Sequence, residues 1–366
     1  MTKTPRYGYG QLLLALLLSA LAFPLAAHPP GLSSVDISLQ PQRMLIKVTF
    51  ALQDIEAFAP MDTDLDAEVS DAEREAAKPT IARLLAQQFR IAVDEQDQQP
   101  QSEGVVSFDD QNNAHVEFQY PAASGHQLLV QSKLLAQMPE GHSEYLTIKQ
   151  AGEITLAENM LNQARDQIVV VIDGTAEKNA SEGTFIDFFK LGIEHILTGY
   201  DHLLFLLGLL AVTHNFWPAL KIITFFTIAH SITLACAGLN LVQLPSSFVE
   251  PFIAATIVYV GLENLIRGEH PKARQWLTFG FGLVHGFGFA GVLQELEISS
   301  AGGGILLPLL SFNLGIETGQ ISVAAIVLPL IWWLNGKASI APLFLKSCSV
   351  AVSLMGAYWL VERTLL

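Results

Sequence analysis

The side chains best equipped for chemistry are His195, Asp201 and His202, in the stretch Glu194-His195-Ile196-Leu197-Thr198-Gly199-Tyr200-Asp201-His202 at the head of a long apolar run. Ionisable groups inside lipid cost roughly 2.5–3.5 kcal/mol each on insertion scales, so several in one segment call for a function. On a helix, residues 195 and 202 share a face, and Asp201 lies about 100° round from His202, near enough to bind the same ion or orient the ring. Imidazole with carboxylate suits a borderline divalent metal such as Ni²⁺, Co²⁺ or Zn²⁺. The competing interpretation is packing, with polar side chains closing helix contacts by hydrogen bonds.

Elements able to position such groups follow from the hydropathy. Six apolar stretches, 186–212, 218–238, 248–266, 277–296, 303–333 and 340–362, read as a six-helix membrane bundle over residues 185–366. Three connections carry Lys221, then Arg267, Lys272 and Arg274, then Lys337 with Lys346, and the positive-inside rule makes these cytoplasmic. A rise of about 1.5 Å per residue from the outer ends puts His202, His230, His285 and Asn313 about 14, 12, 16 and 15 Å inward. Asp201 lies at about 12 Å, His195 and Glu250 at about 3 Å, and Glu263 and Glu317 at about 22 and 21 Å. These depths predict an entrance, a middle and an exit layer for a cation.

Glycines 280, 282, 286, 288 and 291 around His285 let neighbouring backbones approach closely. Asn313, Glu317 and Gln320 form one polar stripe at helical spacing. A faint repeat sets Asp201-His202, His230 and Glu263 beside His285, Glu317 and Glu362, as inverted halves of a transporter would.

The first half differs in kind. Residues 28 to 184 hold 25 Asp and Glu against 10 Lys and Arg, so the chain's entire net charge of −15 lies there. That balance argues against nucleic acid and suits a solvated domain that attracts cations. Residues 1–27 read as a secretory signal: Lys3 and Arg6, an apolar core from Leu12 to Phe23, and Ala26-Ala27 before the cut. Cleavage there would leave His28 at the new terminus, with an amine and an imidazole able to chelate.

Residues 28–173 read as an exported β-rich sandwich, and 174–184 as a linker. Val35–Phe50 alternates around Gln40-Pro41-Gln42 as a hairpin, with further strands expected at 89–93, 104–108, 114–120, 127–131, 145–149 and 167–172. One helix is expected over 72–88, with Pro79 able to split it. Both cysteines, Cys236 and Cys348, lie in apolar segments, so the exported domain has no disulfide. Before the helix, Asp62, Asp64, Asp66, Ser70 and Glu73 fit positions 1, 3, 5, 9 and 12 of a calcium loop. Ala67 stands where the sharp turn wants Gly, which makes this a weakened Ca²⁺ site or simply an acidic helix start.

The membrane half resembles the HupE/UreJ family, accessory proteins of nickel hydrogenase and urease systems regarded as nickel or cobalt permeases. Their first helix carries His-Pro-x-x-Gly-x-Asp-His-x-x-x-Met. His195, Gly199, Asp201 and His202 match it, whereas Ile196 replaces Pro and Leu206 replaces Met. The acidic domain is similar to that of a longer branch of the family. The resemblance implies a bacterial inner-membrane carrier of Ni or Co, with Zn also possible, that serves a metalloenzyme maturation system. In this scheme His195 and Glu250 receive the ion, Asp201, His202, His230 and His285 bind it, and Glu317 and Glu263 relay it inward. Two rivals belong to other classes. One is an intramembrane zinc hydrolase with Asp201 or Glu317 as base, for which no Gly-x-Ser-x-Gly or His-Glu-x-x-His pattern is present. The other is a non-transporting metal sensor or assembly factor.

Overall fold

The computed structural model describes residues 31–365, apart from 57, 65–68, 110–112, 140, 151–153, 173–179, 240, 243, 269–272, 290–305 and 338–339. The signal segment, His28, Asp66 and Ala67 lie outside the described residues.

The expected hairpin forms from β1 (Leu32–Leu39) and β2 (Arg43–Ala51), with Val35 opposite Val48 and Ile37 opposite Ile46. Alternation decides which side chains face inward, and Val35, Ile37, Met44, Ile46, Val48 and Phe50 are all buried. Two short strands, β3 (Phe89–Val93) and β4 (Gln96–Gln98), are followed by β5 (Val105–Phe108), β6 (Asn113–Pro121) and β7 (Gln127–Ser132). The last three are β8 (Ser143–Gln150), β9 (Ile154–Asn162) and β10 (Gln167–Val171). They make a six-stranded sheet, β5-β6-β2-β1-β8-β9, and a four-stranded sheet, β10-β7-β3-β4. Ile37, Ile46 and Phe118 of the first meet Ile91, Leu128 and Val130 of the second in one core. Strand β1 pairs parallel with β8, so the first strand is an interior one.

After α1 (Leu52–Glu56), helix α2 (Asp71–Gln88) contains Pro79 without being divided by it. Its start is a capping box, in which Ser70 Oγ accepts from the Glu73 N–H and Glu73 Oε2 accepts from the Ser70 N–H.

The membrane half holds α3 (Ala180–Thr198), α4 (Tyr200–Leu210), α5 (Phe216–Gly238), α6 (Ser246–Arg267), α7 (Arg274–His285), α8 (Leu306–Asn335) and α9 (Ala341–Leu365), with a 3₁₀ turn at Gly286–Phe289. Among the described residues, α5, α6, α8 and α9 are each long and apolar enough to cross a membrane. The expected first span is instead two helices bent by 71° at Gly199. The expected linker is helical from Ala180 onward. The expected fourth span, 277–296, is described as far as Phe289, as α7 and the 3₁₀ turn that follows it. Among the described residues, the candidate spans are thus four, plus the bent pair. Trp217, Trp276 and Trp333 stand exposed at helix ends near the basic connections, as interfacial aromatics do.

Glycines set the closest helix crossings. A Cβ on Gly192 of α3 would lie 2.1 Å from the Phe312 carbonyl oxygen, and one on Gly315 of α8 would lie 2.1 Å from that of Phe189. The other end of α3 meets the sheet domain: Leu32, Tyr145 and Met160 pack with Phe188 and Leu191, and Arg165 donates to Asp187 at 3.3 Å.

Candidate metal centre

The site starts at the break. Gly199 adopts φ −74 and ψ 90, leaving the helical region. A Cβ there would stand 2.7 Å from the His195 carbonyl oxygen and 2.9 Å from His202 Nδ1, so only glycine fits. The turn brings the His195 and His202 rings to 4.7 Å between centroids. Seven residues of straight helix would have set them about 10 Å apart along the axis. His195 therefore belongs to the same layer as His202, and the expected entrance position for it is corrected.

Helix α5 adds His230, and suitable ring nitrogens of His195, His202 and His230 all lie within 4.8 Å of one another. His285 follows from α7, its ring 5.3 Å from that of His202. Helices α7 and α5 approach this closely because a Cβ on Gly282 would sit 2.6 Å from the Phe226 carbonyl oxygen, and one on Gly286 2.6 Å from that of His230. The four histidines keep 6, 7, 0 and 1 % of their surface. Phe289 and Phe312, stacked at 4.4 Å, lie against His195.

Partners of the rings fix which nitrogen is bare. His202 donates Nδ1–H to Asp201 Oδ1 at 3.0 Å. Asn313 gives its amide N–H to the Leu309 carbonyl, which turns its oxygen toward His230, whose Nδ1–H donates to it at 3.3 Å. Thr256 gives its hydroxyl to the Ile253 carbonyl and so accepts from His285 Nε2–H at 2.9 Å. Nε2 of His202, Nε2 of His230, Nδ1 of His285 and both nitrogens of His195 are left buried without a partner. Metal-binding histidines are oriented in this way, one nitrogen donating to a fixed acceptor and the other carrying the lone pair. Packing histidines would satisfy both.

Other expected residues take different roles. Glu317 accepts from Thr224 at 2.8 Å, and Gln320 from Thr227 at 3.3 Å, so α5 and α8 share a polar track that starts at the His230–Asn313 pair. Glu263 is held by Arg267 at 3.0 Å and the buried Arg274 at 3.4 Å, and Arg274 also donates to Asn264 and to the Gly208 carbonyl. Its carboxylate is thus engaged in a clamp of α6, α7 and α4. Glu250 lies 3.8 Å from Arg363, which stands 3.7 Å from Asp201. In the sheet domain, Asp62, Asp64 and Glu73 offer oxygens within 4.8 Å of one another, but Glu73 accepts from Thr63 and Ser70 as a helix cap. Those hydrogen bonds lower its pKa to about 2. Thr256 and Arg363 escaped the sequence reading, because a lone hydroxyl or a terminal arginine carries no spacing signal.

The HupE / UreJ protein model matches residues 173–363. The chain belongs to the HupE/UreJ family. No curated protein matches it. A HupE/UreJ chain is a multi-pass membrane protein of a nickel- and cobalt-handling, permease-like family tied to urease and hydrogenase maturation. The family match begins at residue 173, so it spans every helix from α3 to α9 and leaves out both sheets.

Proposed function

We propose that this protein carries a divalent transition metal, Ni²⁺ or Co²⁺, inward across a bacterial inner membrane, with residues 28–173 on the outer side. The reading rests on four buried histidines: His202, His230 and His285 each have one nitrogen tied, to Asp201, Asn313 and Thr256, while bare nitrogens of His195, His202 and His230 converge within 4.8 Å and the His285 ring lies 5.3 Å from that of His202. Such a set binds an imidazole-favouring cation and is costly to leave bare in lipid. Glu250 and Arg363 stand at the outer mouth. The ion leaves along Thr227, Gln320, Thr224 and Glu317, and the Glu263–Arg274 clamp closes the inner end. Metal must be released, so fewer ligands bind at once than in a structural site.

Uptake of radiolabelled Ni²⁺ or Co²⁺ into proteoliposomes tests the reading. His202→Ala and Asp201→Asn should each abolish uptake while the protein still inserts, and the double variant should be no worse, because both disable one site. His230→Gln and His285→Gln should raise the metal concentration required. Full uptake by well-expressed His202→Ala protein would overturn the site.

A further inference from the structure

The sheet domain buries a second polar cluster, with the Phe50 ring stacked on its histidine, His142. Asp54 of α1, His142 just before β8, Ser33 of β1, Glu144 of β8 and Ser132 of β7 are each at most 6 % exposed. Parallel pairing of β1 with β8 sets Ser33 opposite Glu144. Ser33 Oγ and His142 Nε2 are 3.0 Å apart. Glu144 in turn accepts from Ser132 at 3.1 Å. With Nε2–H donated to Ser33, the ring presents a bare Nδ1, which is buried and has no hydrogen-bond partner.

Facing that nitrogen is Asp54 Oδ2, also buried and without a partner, 3.8 Å away. Two lone-pair donors therefore confront each other. The gap exceeds hydrogen-bond reach, so a shared proton does not bridge it. It suits two ligands of one ion, which stand roughly 3.4 Å apart at the tetrahedral angle for metal–ligand distances of about 2.1 Å. A histidine whose far nitrogen is held by a buried hydroxyl is arranged as metal-binding imidazoles are. Gly31 forms the cover over the carboxylate, since a Cβ there would lie 2.3 Å from Asp54 Oδ2. Gly31 itself is only half-buried.

We infer that the sheet domain holds its own divalent transition-metal site, with Asp54 Oδ2 and His142 Nδ1 as protein ligands and water or main-chain oxygen completing the shell. Burial pushes the Asp54 carboxyl up to about 7 and the His142 imidazole down to about 4, a cost that a bound cation offsets. Nothing in this inference depends on transport.

The test uses the full-length protein in detergent, with Co²⁺ alone as the probe. In a His202→Ala background, calorimetry should find one equivalent of Co²⁺ that disappears in His202→Ala/His142→Gln and in His202→Ala/Asp54→Asn. Equal stoichiometry with and without His142→Gln overturns the inference, whatever uptake shows. Should both changes prevent folding, X-ray absorption of cobalt in His202→Ala protein decides the matter. A cobalt species with a single imidazole among oxygen ligands supports the site, and oxygen-only cobalt or cobalt held solely by several imidazoles overturns it.

Discussion

The Arg363 guanidinium stands 3.7 Å from Asp201, the carboxylate that orients His202, and 3.8 Å from Glu250. If the site carries a metal as proposed, this guanidinium competes with the imidazole for Asp201 and repels an arriving dication, which weakens the site enough for release. Replacing Arg363 by Gln should lower KM for Ni²⁺ or Co²⁺ by about tenfold and also lower the maximal rate, because release slows. A purely structural role would reduce the amount of folded protein and leave KM unchanged, and transport kinetics normalised to inserted protein separate the two. Histidines could be found in the sequence because few ionisable residues are tolerated in apolar stretches. Their acceptors could not all be found. Asp201 is adjacent to His202 and Asn313 breaks an apolar run, whereas Thr256 resembles any membrane-helix threonine that bonds its own backbone.

Helices come together here through absent side chains. Gly192 and Gly315 leave α3 and α8 in backbone contact, and Gly282 and Gly286 do the same for α7 and α5. Gly192→Ala should force the helices apart and cost roughly 1–3 kcal/mol. Gly280→Ala, where an added Cβ meets nothing within 4 Å, should be neutral or slightly stabilising. Thermal unfolding in detergent compares them, and equal losses would remove the crossing from the account. Elements with period-two alternation were legible almost to the residue, as β3 at Phe89–Val93 shows. Strand β4 was not, because its turn uses Asp94 and Glu95 at φ 47 and 67 where a glycine signal is expected. Strand β9 mixes Glu158 and Asn159 into its pattern and escaped for that reason. The break at Gly199 was hidden too, since one glycine in an apolar run is also compatible with a continuous helix.

Taken whole, the molecule is a sheet domain seated on one end of α3 with a histidine cluster at the other end of the same helix. If the sheets lie outside, a reporter active only in the cytoplasm should work when fused after Arg267 and fail when fused near Asp173. The opposite result would reverse the direction assigned to the ion. The signal-like segment and the positive-inside pattern carry that expectation of topology, while the seating of Tyr145 on Phe188 joins residues too far apart in sequence to leave a local sign. The interior placement of β1 also sets a timetable for biogenesis. Ser33 must wait for His142, 109 residues later in the chain, before the sheet can close around it. Until then the leading strand has a neighbour on one side only and its other edge is open to mispairing. The domain therefore completes itself late in synthesis, as its own final strands are made, and a stalled or truncated chain presents a holding chaperone with a half-built sheet rather than a finished domain.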